Sequence, residues 1–159
     1  MASGNEIFVI DDPSVGSSQK HASELRRPYL SPLREARLSP KAYSTTFALD
    51  NATRRLGIDR LGLVMIGNNF SEGPGEEPSP TEGLNAIDIL HSLGTKRING
   101  GLYVPVTPFS EDGAANLEML EHLDAIGHPA FAPDPAVLES GKLAIAGWVA
   151  ETLPKLPLE

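Results

Sequence analysis

The chain has 159 residues, enough for one domain that buries its own core, which we place at about residues 6–153. Its net charge of −8 argues against nucleic-acid binding, which usually needs a basic surface, and the lack of cysteine excludes disulfides and thiolate chemistry. No apolar run reaches the roughly 20 residues of a membrane span, and the first residues do not resemble a secretory signal. We therefore expect one cytoplasmic domain that does not contact a membrane.

The first predicted strand covers residues 7–10, a short apolar run that ends in Asp11 and Asp12. Ligands of open parallel α/β sheets bind beyond the carboxyl ends of the strands, which makes both carboxylates candidate site residues. They can hold a divalent ion, or they can cap the next helix by accepting hydrogen bonds from its free N–H groups. The sequence leaves both interpretations open.

The region after this strand has helical composition over residues 14–38, but three prolines interrupt it. We expect a helix to about Arg27 and then a shorter helical piece, because proline removes a backbone donor and clashes with the preceding turn. Residues 43–48 are rich in β-forming side chains and predict the second strand. A short helix at residues 50–57, closed by a glycine, follows it.

The third predicted strand, at residues 61–66, is a continuous apolar run bounded by turn residues, which is typical of a central strand in a parallel sheet. It ends in Gly67, Asn68 and Asn69, none of which carries a carboxylate, thiol or imidazole. The two asparagines suit a turn, where their side chains bond to nearby backbone groups. Residues 70–83 are acidic and rich in Pro and Gly, and they predict a mobile, solvated loop.

The second half of the chain continues the alternation of helices and strands. The predicted elements are a helix at 84–94, a strand at 101–107, a helix at 114–126, a strand at 130–132 and a helix at 136–153. In all, five strands alternate with five helices over short connections. This order predicts a flavodoxin-like doubly wound (βα)5 sandwich around a five-stranded parallel sheet.

In this order and spacing, the chain resembles the CheY-like receiver domain of two-component response regulators, over nearly its whole length. Asp11 and Asp12 match the acidic pair that holds Mg²⁺ in that family. Thr107, at the end of the fourth predicted strand, matches its switch residue. Without a phosphate to sense, Thr107 is also an ordinary turn or cap residue.

The departures from the receiver pattern are as informative as the matches. Gly67 stands where the resemblance implies the phosphate-accepting Asp, and a shifted register offers only Asn68 or Asn69. Asp134 stands where it implies a lysine, so the charge there is reversed. Phosphoryl transfer needs a carboxylate nucleophile and cations on the transferred oxygens, so we expect no phosphorylation by the standard route.

The resulting hypothesis is an atypical receiver that signals through a protein partner without phosphorylation. It implies no enzymatic activity and no cofactor, apart from a weak Mg²⁺ site at Asp11 and Asp12. The family's usual contact face corresponds to residues 114–153, and a homodimer through this face is one option. The alternative is a domain or enzyme that binds a small molecule or nucleotide at the strand ends. The absence of a glycine-rich phosphate loop, and of a cysteine, histidine or lysine placed at a strand end, weighs against it.

Overall fold

The computed structural model describes residues 6–11, 22–56, 61–73, 75–95 and 103–153. Within these ranges the chain forms four strands: β1 (Glu6–Ile10), β2 (Ser39–Tyr43), β3 (Leu61–Ile66) and β4 (Val106–Pro108). The same ranges contain six helices: α1 (Ala22–Glu35), α2 (Thr46–Leu56), α3 (Glu82–Thr95), α4 (Gly113–Ile126), α5 (Pro135–Ser140) and α6 (Lys142–Thr152). None of these helices is long and apolar enough to cross a membrane.

The strands form one parallel sheet in the order β2-β1-β3-β4. The chain moves outward from β1 to β2 and then returns to place β3 on the other side of β1. This arrangement confirms the predicted doubly wound parallel α/β sheet. It also places a topological switch point between β1 and β3, where such folds bind ligands.

The prediction of a fifth strand is wrong for the described residues. Residues 130–132 contribute one parallel bridge, between Ala130 and Val106, beside the outer edge of β4. Pro129 and Pro133 flank this bridge, and neither has a backbone N–H to extend a ladder of hydrogen bonds. The sheet therefore has four strands.

Alternating side chains of the central strands build a separate core on each face of the sheet. In β3, Val64 and Ile66 face the core that α2, α3 and α4 complete. Leu63 and Met65 face the other core, which α1, α5 and α6 complete. All four side chains are fully buried, which fits a strand covered by helices on both faces. This confirms the central, doubly covered strand that the apolar run predicted.

Two helices differ from the prediction at proline and glycine positions. α1 continues through Pro28 and Pro32 as one helix, instead of ending near Arg27. The burial of Tyr29 and Leu33 against the sheet stabilises it, since tertiary packing contributes most of the stability of helices in proteins. The last helix, expected to be continuous, is divided into α5 and α6 by a glycine with a positive φ.

The predicted second strand also lies earlier than expected. β2 ends at Tyr43, and α2 begins at Thr46, inside the segment that was predicted as a strand. The hydroxyl of Thr45 accepts a hydrogen bond from the backbone N–H of Ala48 at 3.1 Å, which caps the first turn of α2. This local cap outweighs the β propensity of the segment.

The segment between β3 and α3 is folded against the rest of the domain at its start. Phe70 is fully buried, and its carbonyl accepts a hydrogen bond from the N–H of Ser79 at 3.0 Å. Residues 75–78 are exposed, as expected for a solvated loop. Residues 75–78 therefore fit the predicted solvated loop, whereas the start of the segment does not, because Phe70 is packed in the core.

Candidate functional site

The carboxyl edge of the sheet contains a buried carboxylate surrounded by donors. Asp11 follows β1 directly and is 2% exposed. Its Oδ1 accepts a hydrogen bond from Arg26 Nε at 3.1 Å, and its Oδ2 accepts one from Tyr29 Oη at 2.7 Å. Lys142 Nζ lies 2.7 Å from the same Oδ2. Both carboxylate oxygens are therefore bonded within the protein.

Two helices deliver these donors to Asp11. Arg26 and Tyr29 lie three residues apart on α1, a spacing that puts them on the same face of a helix. Lys142 is the first residue of α6, where its backbone N–H donates to Glu111 Oε1 at 3.1 Å. Its ammonium group also lies over the ring of Tyr29, 5.4 Å from the centroid. Asp11 thus links β1 to α1 and α6, two of the three helices on this face.

Arg26 fixes the ends of the strands as well as the carboxylate. One of its terminal nitrogens, Nη2, donates to the carbonyls of Asp11 at 2.7 Å and Tyr43 at 3.2 Å, and to Ser44 Oγ at 2.9 Å. A buried guanidinium that satisfies several acceptors is well suited to this role, because its planar fork offers five donors. The ends of β1 and β2 are therefore held together by this one side chain.

The electrostatics of the cluster favour anions over metal cations. Arg26 and Lys142 carry two positive charges against the single negative charge of Asp11. Burial and the nearby charge of Asp11 raise the pKa of Tyr29 far above its ordinary value, so the phenol remains a neutral donor. A Mg²⁺ ion at Asp11 would have to displace one of the two cations from the carboxylate.

Metal ligation at the predicted acidic pair therefore has little geometric support. Asp12 lies outside the described residues, so only Asp11 of the predicted pair can be placed. Among the residues that the structure describes, no three or more His, Cys, Asp or Glu side chains are grouped to hold a metal ion. The contacts of Asp11 favour a structural role in ion pairing.

Gly67, which the sequence pattern placed at a receiver's acceptor position, lies close to backbone and to Asp11. Gly67 is buried, and its N–H donates to the carbonyl of Ile10 at 2.8 Å. A Cβ at this position would lie 3.1 Å from Asp11 Cβ and 3.3 Å from the carbonyl oxygen of Phe109. Any side chain at Gly67 would therefore push against both neighbouring strand ends.

The two asparagines after Gly67 have different environments. Asn68 Oδ1 accepts a hydrogen bond from Ser110 Oγ at 2.5 Å, and its Nδ2 donates to the carbonyl of Pro80 at 3.3 Å. Asn68 thereby connects the end of β3 to the segments after β4 and before α3. Asn69 is exposed.

The two remaining predicted residues, Thr107 and Asp134, differ in burial and in hydrogen bonding. Thr107 is fully buried in β4, and its hydroxyl donates to the carbonyl of Phe131. It therefore bonds to the backbone of the neighbouring segment. Asp134 is exposed at the start of α5, where its side chain makes no capping hydrogen bond.

The cations of this site were not predicted from the sequence. No lysine was expected at a strand end, whereas Lys142 contacts Asp11 at the end of β1. The only sequence signals were the i, i+3 spacing of Arg26 and Tyr29 and the glycine that precedes Lys142. Neither signal is specific, because i, i+3 pairs and glycines before helices are common in sequences.

A second group of titratable side chains joins α3 to the segment after α4. His128 is 4% exposed, and its Nε2 must carry the proton because it lies 2.7 Å from the carbonyl of Val104. Its Nδ1 then accepts a hydrogen bond from His91 Nδ1 at 2.9 Å. His91 in turn stacks on Tyr103 with a centroid distance of 4.7 Å. Burial lowers the pKa of His128, which favours its neutral form.

Comparison with known proteins assigns no family. No protein-family model matches the chain, and a search of curated proteins finds no match. The resemblance to receiver domains therefore stays a prediction from the residue pattern.

Proposed function

We propose that this domain is a receiver-like signalling module that acts through protein–protein contacts without being phosphorylated. The observation that carries the proposal is the closed carboxyl edge. Asp11 is bonded to Arg26, Tyr29 and Lys142, and Gly67 has no side chain to accept a phosphoryl group and is tightly surrounded. The order β2-β1-β3-β4 supports the likeness to a receiver scaffold.

The chemistry of the edge argues against phosphoryl transfer. Transfer to a receiver requires a free carboxylate nucleophile, a bound Mg²⁺ and donors for the transferred oxygens. Here the buried carboxylate is already paired with two cations, and the acceptor position has no side chain. A domain with this edge is regulated by other means, such as its concentration or the availability of its partner.

The proposed contact face comprises α4, the 129–131 segment, α5 and α6. Leu143, on α6, is 60% exposed. Trp148 is half-buried on the same helix and packs against Phe131 with a centroid distance of 4.7 Å. Exposed apolar and aromatic side chains of this kind are typical anchors of protein interfaces. The partner is a second protein or another copy of this chain.

Site-specific photo-cross-linking tests the proposal. A benzoyl-phenylalanine residue replaces Leu143, and a matched control places it at Arg54, whose side chain is 56% exposed on α2. In the cells that produce the protein, we expect a discrete protein adduct from position 143 and none from position 54. Equal adduct formation from both positions, or none from 143, would contradict the proposed face.

A small anionic ligand at the same edge is the second candidate function. It is favoured by one observation, the excess of positive charge that Arg26 and Lys142 give to the described cluster. Titration with inorganic phosphate and ATP, followed by NMR of the amides near Asp11, separates the two functions. Saturable shifts at Asp11 and Lys142 would favour the ligand-binding function, and their absence would remove it.

A further inference from the structure

A cleft of about 480 Å³ opens between the start of α2, the segment after β3 and α3. Its lining includes Phe47, Asp50, Glu72, Glu76 and Ile89. None of the residues of the Asp11 cluster lines it. The cleft is therefore separate from the Asp11 cluster.

Backbone hydrogen bonds fix the two walls of this cleft. The N–H of Phe47 donates to the carbonyl of Glu72 at 2.8 Å, and the N–H of Thr46 donates to the carbonyl of Ser71 at 3.2 Å. A parallel bridge between Thr45 and Ser71 extends the same contact. The segment after β3 is thus attached to the first turn of α2, which makes the cleft a persistent feature of the fold.

The charges around the cleft are mostly negative. Glu72 and Glu76 are exposed, and no cation among the described residues pairs with either of them. Asp50 has one cationic partner, Arg54, at 2.9 Å on the outside of α2. The rim therefore offers two carboxylates that remain free to bind a positive charge.

A buried carboxylate adds to this negative potential. Glu82 is 8% exposed, and its Oε2 accepts hydrogen bonds from Thr46 Oγ1 at 2.5 Å and Asn85 Nδ2 at 2.8 Å. Both donors are neutral, and none of the described cations lies against this carboxylate. Thr46 also lines the cleft, so Glu82 lies directly behind its wall. A buried carboxylate without a cation is unfavourable, and a positive charge bound nearby would stabilise it.

The cleft also has an apolar surface that fits the stem of a basic side chain. Phe47 is 57% exposed, one of two large apolar side chains exposed to this extent in the described ranges, and Ile89 also lines the cleft. Arginine and lysine lay their methylene stems along apolar surface while the charged head reaches polar groups. A guanidinium also stacks on an aromatic face.

We propose that this cleft binds a basic segment of a partner protein. An Arg side chain of the segment lies along Phe47, and its guanidinium reaches the carboxylates of Glu72 and Glu76. Charge complementarity selects this occupant, because the rim is acidic and the only described cation beside it, Arg54, is already paired. The proposal does not depend on the receiver-like function, since the cleft shares no residue with the Asp11 cluster or the α4–α6 face.

The probe for this site is a blocked peptide with the sequence Gly-Leu-Arg-Arg-Leu-Gly, titrated into the ¹⁵N-labelled full chain. A peptide of equal length with citrulline in place of arginine tests the charge, and spermidine tests for a free polyamine. We expect saturable amide shifts confined to residues 45–50 and 71–76, with a dissociation constant below about 1 mM. The citrulline peptide should bind at least about tenfold more weakly than the arginine peptide. Raising the salt concentration should weaken binding of the arginine peptide, because salt screens its charges.

Matched variants locate the binding surface. The double variant Glu72→Gln/Glu76→Gln should weaken binding of the arginine peptide about tenfold or more. The control Glu118→Gln/Glu121→Gln makes the same change of charge at two exposed positions of α4, and it should leave binding unchanged. Phe47→Ala should also weaken binding, and all three variants remain folded because the substituted side chains are exposed.

Several results would overturn the proposal. One is a set of shifts that spread over the surface without saturating, or that survive in Glu72→Gln/Glu76→Gln. Another is tighter binding of spermidine than of the peptide, which would assign the cleft to a free polyamine. Concentration-dependent shifts of the same residues without peptide would assign it to a second copy of the chain.

Discussion

The carboxylate of Asp11 contacts Arg26, Tyr29 and Lys142, and we expect substitutions in this cluster to destabilise the fold to different extents. Replacement by Asn keeps the shape but leaves Arg26 and Lys142 buried beside a neutral amide. Breaking a buried pair in this way destabilises a protein strongly, so Asp11→Asn should lower the free energy of unfolding by about 3–5 kcal/mol. Lys142→Met leaves the Asp11–Arg26 pair intact, so we expect a smaller loss of about 1–3 kcal/mol.

The control for this series is an exposed ion pair on α2. Arg54 Nε lies 2.9 Å from Asp50 Oδ1, with the Arg54 side chain 56% exposed. Arg54→Gln should change the free energy of unfolding by no more than about 0.5 kcal/mol, because solvent screens such pairs. Urea denaturation measures all three variants. Equal effects of Asp11→Asn and Arg54→Gln would show that the buried cluster does not stabilise the fold.

His128 predicts a specific dependence of stability on pH. Burial holds its pKa below the ordinary value of 6.5, so the unfolded chain binds a proton more readily than the folded protein. The free energy of unfolding should therefore be highest above about pH 6.5 and fall as the pH is lowered, by at most about 1.4 kcal/mol per pH unit for this one group.

Two substitutions assign this effect to the buried imidazole. His128→Gln, measured by urea denaturation from pH 7.5 to pH 5.5, should flatten the decline. His122→Gln removes a partly exposed imidazole, paired with Asp88 at 2.7 Å, and should leave most of the decline in place. A decline that is unchanged in His128→Gln would refute this origin.

At the scale of elements, the break between α5 and α6 positions the lysine of the site. Gly141 has φ 98° and ψ −172°, a backbone conformation that residues other than glycine rarely adopt. A Cβ at this position would also overlap with the carboxylate of Glu111. That carboxylate accepts from the N–H of Lys142. Gly141→Ala should therefore lower stability by about 2–4 kcal/mol, mainly through backbone strain, with a smaller part from displacing the exposed Glu111 carboxylate from the Lys142 N–H.

Gly127, which closes α4, provides the matched control. It also has a positive φ of 71°, but a Cβ there would meet no atom within 4 Å. Gly127→Ala should lower stability by only about 1–2 kcal/mol, the cost of the left-handed conformation alone. Thermal and urea unfolding compare the two variants. If they lose equal stability, the contact between Gly141 and Glu111 does not matter.

The elements also show where sequence reasoning succeeds. The apolar run that became β3 and the amphipathic pattern of α4 were located to within a residue or two, because burial alone specifies them. β2 was predicted too far along the chain, because the Thr45 cap begins α2 inside the predicted strand. The predicted fifth strand forms only one bridge, because two prolines flank it. α1 was cut short in the prediction, because tertiary packing overrides its prolines.

At the scale of the whole molecule, the fold class was predictable, whereas the candidate site was predictable only in part. The sequence located Asp11 and Gly67 at neighbouring strand ends. It did not locate Arg26 or Lys142, since the contact between Asp11 and Lys142 spans 131 positions of the chain. No local pattern encodes such a contact; it arises only when α1 and α6 pack side by side on one face of the sheet.

We propose that this domain works without phosphorylation, and intact-mass spectrometry after treatment with acetyl phosphate and Mg²⁺ tests this proposal most directly. An ordinary receiver domain in the same tube serves as the positive control. We expect the control to gain the mass of one phosphoryl group while this chain stays unchanged, because Asp11 is paired with two cations and Gly67 offers no acceptor. A gain of one phosphoryl group by this chain, lost in Asp11→Asn, would contradict the account.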